Sequence, residues 1–172
     1  MAILDLAGAN QSTVSFITNY GHRLYSDDFL HQLDHCFGQG DFYENQTNPR
    51  SIETFLHTAL DFPDEAFDGA LVWDVLEYLS PALLGIVVGK LHAMLRPGSS
   101  LLAVFHNEER AETVPSYSFR IHGHRTIQLA ERGRRQPAQF FNNRSLEKLF
   151  QDFNSVKFFL TRDHLREVIV RR

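Results

Sequence analysis

The chain has 172 residues, of which 43% are apolar and 22% are charged, a composition typical of one globular domain spanning residues 1–172. Its formal net charge of -4 argues against broad nucleic-acid binding. Cys36 is the single cysteine, which excludes a disulfide within the chain and a cysteine metal cluster. No charged leader precedes an apolar run, and the longest such run, around 82–88, is too short to span a bilayer. We therefore expect a cytoplasmic protein.

The N-terminal segment predicts a strand, a sharp turn and a helix. Ala2–Leu6 is an apolar run typical of a central strand that is buried on both faces. The turn that follows, Ala7–Gln11, contains one glycine. Ser12 or Thr13 is a suitable N-cap for the next helix, which is expected to end at Tyr20–Gly21.

Two helices are predicted after a second strand, His22–Ser26. The segment 29–37 has an apolar face at helical spacing. Apolar residues recur at the same spacing over 48–60, where Asn48 is a suitable cap and Pro49 occupies the first turn. This segment is therefore expected to be a helix and not a strand.

A buried strand, Asp68–Trp73, and a short helical turn over 74–79 are predicted next. Ser80 and Pro81 then begin a long helix. The helix stops at Arg96–Gly98, and Ser100–Phe105 is another buried strand.

Residues 107–139 are a polar, arginine-rich insertion. We expect it to be irregular, except for a hairpin arm that joins 117–121 to 126–129. The chain closes with a helix capped by Asn142 or Asn143 and with two strands, 156–160 and 167–170, close enough to pair as a hairpin.

The alternation of strands and helices predicts an α/β fold, in which a mainly parallel sheet carries helices on both faces. Ligands in such sheets bind beyond the carboxyl ends of the strands, where the strand order reverses. The turn after the first strand is therefore the expected ligand position.

Four segments resemble the class I S-adenosylmethionine-dependent methyltransferases. Residues 3–10 (ILDLAGAN) resemble the first motif of that family, an apolar strand, an acid and a glycine-rich turn. Residues 61–80 resemble its stretch around strand four, and residues 91–105 resemble its Arg-Pro-Gly turn and fifth strand. The closing hairpin resembles its strands six and seven. Ala7, Ala9 and Gln11 stand where the family usually has glycine.

The resemblance implies a Rossmann-like three-layer sandwich with a mainly parallel sheet of six to seven strands and a C-terminal antiparallel hairpin. It also implies S-adenosylmethionine as cofactor. Asp28 lies 23 residues after Asp5, where the family places the acid that holds the ribose hydroxyls. The candidate cofactor-binding residues are Asp5, Ala7, Gly8, Ala9, Asp28, Trp73 and Asp74.

Each candidate also has a structural interpretation. Asp28 suits the N-cap of the following helix, and Asp5 is expected to order the turn through backbone N–H groups. Trp73 either stacks near the ligand or wedges into the core, and Asp74 is a candidate cap for the next turn. His106 is a candidate general base, with a surface histidine as the favoured alternative.

A local positive patch lies within the insertion. Arg120 and Arg125 are the candidate substrate-binding residues, suited to an anionic group. The alternatives are a solvated loop or a contact with a partner subunit, which leaves homo-oligomerisation open. The other arginines of the patch are Arg132, Arg134 and Arg135.

The family's sheet has the strand order 3-2-1-4-5-7-6. No alternating strand pattern lies between Gly40 and Phe67, which predicts that strand three is missing and that strand two forms an edge of a six-stranded sheet. Losing strand three would also remove one wall of the adenine pocket.

The predicted function is transfer of a methyl group to a small-molecule or anionic acceptor. The alternative is a non-catalytic, methyltransferase-like binding or scaffold protein that has lost cofactor binding. The chain has no GxxxxGK[ST] phosphate loop, no His-Glu-x-x-His, no Gly-x-Ser-x-Gly and no zinc-ligand spacing, so no metal site is expected.

Overall fold

A computed structural model describes all residues 1–172 as eight strands and six α-helices, with one short 3-10 turn at Val75–Tyr78. In chain order these are β1 Ala2–Asp5, α1 Gln11–Asn19, β2 Arg23–Ser26, α2 Phe29–Phe37, α3 Phe42–Asn45, α4 Pro49–Ala59, β3 Phe67–Trp73, α5 Pro81–Met94, β4 Leu95–His106, β5 Val114–Gly123, β6 Thr126–Arg135, α6 Asn143–Leu149, β7 Ser155–Leu160 and β8 Leu165–Arg171. No helix combines the length and the apolar character needed to cross a membrane.

Six strands form one sheet in the order β2-β1-β3-β4-β8-β7, and β5 and β6 form a separate hairpin. Strands β2, β1, β3 and β4 run parallel. Strand β8 is antiparallel to β4, and β7 is antiparallel to β8. The expected α/β class and the C-terminal hairpin are thus confirmed.

The segment that replaces strand three is a helix, as its apolar spacing predicts. The Asn48 side chain accepts hydrogen bonds from the backbone N–H groups of Arg50 and Ser51, and Pro49 starts α4. Phe55 is fully buried, edge-on to Phe29 of α2. Because no strand pairs with its outer side, β2 is an edge of the six-stranded sheet.

The two faces of the sheet are covered differently. Helices α2, α4, α5 and α6 cover one face and share with it a core of 33 buried residues. Helix α1 and the β5–β6 hairpin cover the other face with a cluster of only six. This second layer is therefore the weaker one: Ile17, Trp73, Val104, Phe119, Ile121 and Leu165.

The insertion is more regular than the sequence predicts. The predicted hairpin arm is confirmed. Strands β5 and β6 have ten residues each, so the arm is longer than expected and the expectation that the rest of the segment is irregular is wrong over those residues. A register shift between Ser116 and Tyr117 breaks the alternation, so Val114 and Ser116 are buried before it and Phe119 and Ile121 after it. This bulge hides the period of two in the sequence.

The N-cap of α1 is Asn10, whose side chain accepts from Thr13 N, so the expectation of Ser12 or Thr13 is wrong. Both hydroxyls are used elsewhere. Ser12 Oγ donates to the Ile121 carbonyl at 2.6 Å, and Thr13 Oγ1 accepts from Ile121 N at 3.0 Å. At α6 the cap is Asn142 and not Asn143.

We predict that Phe55→Ala lowers the free energy of unfolding by about 3–5 kcal/mol, because truncating a buried aromatic leaves a cavity in the larger core. Urea denaturation followed by circular dichroism measures the change. The matched control is Thr54→Ala on the exposed side of the same helix, expected to change stability by no more than about 0.5 kcal/mol. Equal effects of the two substitutions would contradict the packing described for α4.

Candidate functional site

The loops that follow β1 and β2 are joined at the carboxyl edge of the sheet. Gly8 N donates to the Asp27 carbonyl at 2.9 Å, and Ala7 forms an isolated bridge with Asp28. Gly8 has a φ of 82°, and a Cβ there would lie 3.3 Å from the Asp28 Cβ. This position therefore requires glycine for its backbone conformation and for the close approach of the two loops.

Asp5 supports the first loop from below. It is buried, and its Oδ1 accepts from Ala7 N at 3.1 Å and from Trp73 Nε1 at 2.7 Å. Burial raises the pKa of Asp5, although these two hydrogen bonds oppose the rise. Oδ2 is buried without a hydrogen-bond partner. The Ala7 bond is the turn-ordering contact expected from the sequence.

Asp28 is both the N-cap of α2 and a residue that faces the expected ligand position, the two roles predicted from the sequence. Oδ1 accepts from His31 N at 3.1 Å and caps α2. Oδ2 lies 3.6 Å from the Arg132 guanidinium, with 39% of the Asp28 side chain exposed. The cap uses one oxygen, so the other remains directed at the space between the loops and the hairpin.

That space is a pocket of about 450 Å³, here called the loop pocket, a volume within the range of ligand sites. Its floor comes from the two loops and its roof from the hairpin. The Gln11 side chain does not enter it and instead donates to Ser15 Oγ along α1 at 2.8 Å. The lining includes Ala7, Gly8, Ala9, Asn10, Asp28 and Arg120.

Trp73 belongs to the core and does not line the loop pocket. Only 1% of it is exposed, and its ring stacks on Phe119 at a centroid distance of 4.7 Å and an interplanar angle of 14°. Its φ of 59° is unusual for a bulky residue. The hydrogen bond to Asp5 and the stack on Phe119 hold this strained conformation in place.

A buried cluster of two acids and a histidine lies where β3 and β4 end. His106 Nδ1 is 2.5 Å from Glu77 Oε2, and His106 N donates to Glu77 Oε1 at 2.7 Å. Asp74 makes no cap hydrogen bond, contrary to the sequence prediction, and instead accepts from Tyr117 N at 3.5 Å. Burial raises the pKa of Asp74 to about 7, and the Glu77 carboxylate adds to the rise.

His106 is 5% exposed, so the favoured expectation of a surface histidine is wrong. Burial opposes its protonation, but the hydrogen bond and the charge of Glu77 outweigh that effect and raise the pKa of His106. Its Nε2 is buried without a partner, and the Tyr117 ring lies parallel to the imidazole at 6.1 Å. The imidazole is thus oriented by an acid but covered by the hairpin.

The arginine patch of the sequence is divided among different sites. Arg120 lines the loop pocket, whereas Arg125 lines a second cavity beneath the hairpin. Arg135 forms two hydrogen bonds with the Asp34 carboxylate and lies over the Tyr78 ring at 5.1 Å. Arg135 therefore anchors the end of β6 to the helical layer.

Glu77 is the residue that sequence reasoning missed. It lies in the predicted turn after β3, and 29 residues separate it from His106. The available signal was an acid in an apolar segment, VLEYLS, followed by a histidine at the end of the next parallel strand.

No model of a known protein family matches the sequence, and no curated protein matches it. Solved structures do match the chain in fold. A methyltransferase dependent on S-adenosylmethionine from Archaeoglobus fulgidus aligns with a TM-score of 0.59 and 10% identity, over 99% of this chain and 86% of that one. One from Methanosarcina mazei gives a TM-score of 0.54 and 16% identity, over 99% and 92% of the two chains.

The chain has the fold of the class I methyltransferases. A third neighbour with this fold is the 1,6-didemethyltoxoflavin N1-methyltransferase of Burkholderia thailandensis, solved with 1,6-didemethyltoxoflavin and S-adenosylhomocysteine bound. It aligns with a TM-score of 0.56 and 15% identity, over 99% of this chain and 70% of that one. In family terms the present sheet has the order 2-1-4-5-7-6, with strand three absent.

We predict that Asp74→Asn stabilises this methyltransferase fold above neutral pH. The pKa of Asp74 in the folded chain, about 7, exceeds its ordinary value of 3.8. The unfolded chain therefore loses this proton at a lower pH than the folded chain. As the pH rises from about 3.8 to about 7, the free energy of unfolding of the wild type falls by up to about 4 kcal/mol. An asparagine has no such loss.

The measurement is chemical denaturation of both proteins across this pH range. The difference in free energy of unfolding between the two proteins should grow as the pH rises from the ordinary pKa of an aspartate, 3.8, to the folded-state pKa of Asp74, about 7, and then level off. Asp61→Asn, at an exposed acid, is the control and should show no such trend. A pH-independent difference for Asp74→Asn would contradict the prediction.

Proposed function

We propose that this chain binds S-adenosylmethionine in the loop pocket and transfers its methyl group to a small-molecule acceptor. The observation that carries the proposal is the loop pocket itself. It joins the first-motif turn to an acid at the end of the second strand, one of whose oxygens is not used by the helix cap, in a fold shared with methyltransferases.

The residues of the pocket suit this cofactor. Asp28 Oδ2 would accept hydrogen bonds from the ribose hydroxyls, and the backbone at Gly8 permits close approach because no Cβ projects there. Gln11 leaves the pocket free. Arg132 competes for the Asp28 oxygen, but 40% of its side chain is exposed and the separation is 3.6 Å, so this ion pair costs little to break.

When bound, S-adenosylmethionine supplies a methyl group that its sulfonium already activates. The protein's task is then to bind and orient, and alignment of the two reactants provides most of the rate. Asp5 contributes indirectly, by holding the Ala7 amide in place. No nucleophilic side chain is required for this transfer.

His106 could remove a proton from an acceptor, since Glu77 orients it as bases are oriented in many active sites. In the present conformation Tyr117 covers the imidazole. A role as base therefore requires β5 to move away from the ends of β3 and β4.

The missing third strand lowers the expected affinity. That strand would provide one wall of the adenine pocket, and here the outer side of β2 is unpaired. We therefore expect weaker cofactor binding than is usual for methyltransferases with seven strands.

The second candidate function is a non-catalytic binding or scaffold protein. The observation that favours it is the position of β5, whose Tyr117 covers His106 and whose Phe119 stacks on Trp73. With these contacts in place, β5 lies over His106 and Asp74. Calorimetry separates the candidates: S-adenosylhomocysteine binding tighter than about 100 µM favours the methyltransferase, and no heat at millimolar ligand favours the scaffold.

We predict that Asp28→Asn weakens binding of S-adenosylhomocysteine about ten- to a hundredfold. Charge-assisted hydrogen bonds to the ribose are worth about 1.5–3 kcal/mol. Asparagine is as good an N-cap as aspartate, so the substitution removes the charge and leaves α2 capped.

Isothermal titration calorimetry measures the change, with thermal unfolding as a check on the fold. Asp61→Asn is the matched control, because Asp61 is exposed and does not line the loop pocket. Unchanged affinity in Asp28→Asn would remove Asp28 from the site.

A further inference from the structure

A second cavity, here called the hairpin cavity, lies between the β5–β6 hairpin and the face of the sheet that carries α1. Its volume is about 560 Å³, suitable for a small organic molecule. Nine of its 16 lining residues are hydrophobic. The apolar walls include Phe16, Trp73, Leu102, Val104, Phe119 and Leu165.

The hairpin cavity is separate from the loop pocket. Phe119 is the single residue that lines both. Its ring lies against Trp73 at 4.7 Å, so the stacked pair forms the partition between the two spaces. A ligand of the hairpin cavity would contact Phe16, Leu102 and Leu129, which do not line the loop pocket.

Two carboxylates lie at the sheet side of this cavity, and neither forms an ion pair within the chain. Glu167 lies on β8, half-buried, with Val104 of β4 and Phe159 of β7 as its cross-strand neighbours. Asp163 lies in the turn before β8. A half-buried carboxylate with apolar neighbours gains from a cationic partner, because burial has weakened its hydration.

Two basic side chains line the opposite side. Arg125 is exposed in the two-residue turn between β5 and β6. His124 shares a hydrogen bond of 2.5 Å with the Tyr20 hydroxyl. Glu167 lies on β8, which is paired on both sides, whereas Arg125 is exposed at the hairpin tip. The charged and titratable groups of the lining are thus two carboxylates, one guanidinium and one imidazole.

We infer that the hairpin cavity binds a small organic cation: an apolar or aromatic body against the partly exposed Phe16, Leu102 and Leu129, with an ammonium group at Glu167 and Asp163. The apolar walls supply most of the affinity, and the carboxylates supply the selectivity for positive charge. This ligand site goes beyond the proposed cofactor pocket and does not depend on methyl transfer.

The test uses three probes with one shared body: 4-phenylbenzylamine, 4-phenylbenzyl alcohol and 4-phenylbenzoate. Titration calorimetry should give the tightest binding for the amine, about tenfold tighter than the alcohol, as expected for one charge-assisted hydrogen bond. The carboxylate should bind more weakly than either. Equal or tighter binding of the carboxylate, or no binding of any probe, would overturn the inference.

Trp73 reports the location of binding, because it is the one tryptophan of the chain and lines the cavity. The amine should change its fluorescence with the same midpoint as the calorimetric titration. Ile127→Trp, which adds bulk at an exposed position on the cavity wall, should abolish the calorimetric signal. Heat without a Trp73 response, or full binding by Ile127→Trp, would place the probe elsewhere and overturn the inference.

Glu167→Gln should reduce the preference for the amine over the alcohol, and Asp163→Asn in the exposed turn provides a second variant if the strand substitution affects folding. Glu147→Gln, an exposed glutamate of α6, is the matched control and should retain the preference. An undiminished preference in both cavity variants would remove the carboxylates from the site.

The same variants separate this inference from the proposed function. Asp28→Asn should weaken the binding of S-adenosylhomocysteine and leave the binding of 4-phenylbenzylamine unchanged. Glu167→Gln should weaken the binding of the amine and leave the binding of S-adenosylhomocysteine unchanged. If S-adenosylhomocysteine does not bind to the wild type but the amine does, the cofactor proposal fails and the hairpin cavity remains a ligand site.

Discussion

The indole of Trp73 connects the parts of this molecule that would otherwise be independent. Its N–H bonds to Asp5 at the end of β1, its backbone ends β3, and its ring carries Phe119 of the hairpin. The first-motif turn, the parallel sheet and the inserted hairpin are thus positioned by one side chain. Its positive φ is the cost of directing a large ring off the end of a strand.

Most of the sheet could be predicted because its signals are local. Apolar runs marked the central strands, and Asn48 with Pro49 marked the start of α4. The absence of an alternating pattern before Phe67 was enough to predict that strand three is missing. Asp5, Gly8 and Asp28 could be placed together because the carboxyl ends of neighbouring parallel strands meet at one edge.

The features that could not be predicted depend on contacts between distant residues. Ser12 lost its expected role as a cap because its hydroxyl bonds to Ile121, 109 positions away. The Glu77–His106 pair forms across two strand ends, and no local pattern distinguishes it from surface residues. The full length of the hairpin could not be predicted because the bulge at Ser116 changes which side chains face inward.

The buried acids beneath the hairpin oppose stability. Asp74, Glu77 and His106 are each at most 5% exposed, and apolar side chains of similar volume would pack there at lower cost. Burying such groups at the ends of β3 and β4 is the pattern expected where a fold retains a site at the expense of stability.

The unequal cover of the two faces of the sheet also affects how a reactant could reach His106. The smaller cluster holds the middle of the hairpin through Phe119 and Ile121, whereas its base is tied to the helical side by Val114 in the larger core and by Arg135 bound to Asp34. Local opening is therefore expected to begin at the hairpin tip. Exposed side chains already line both pockets, so opening as far as Tyr117 would change access to His106 more than access to either pocket.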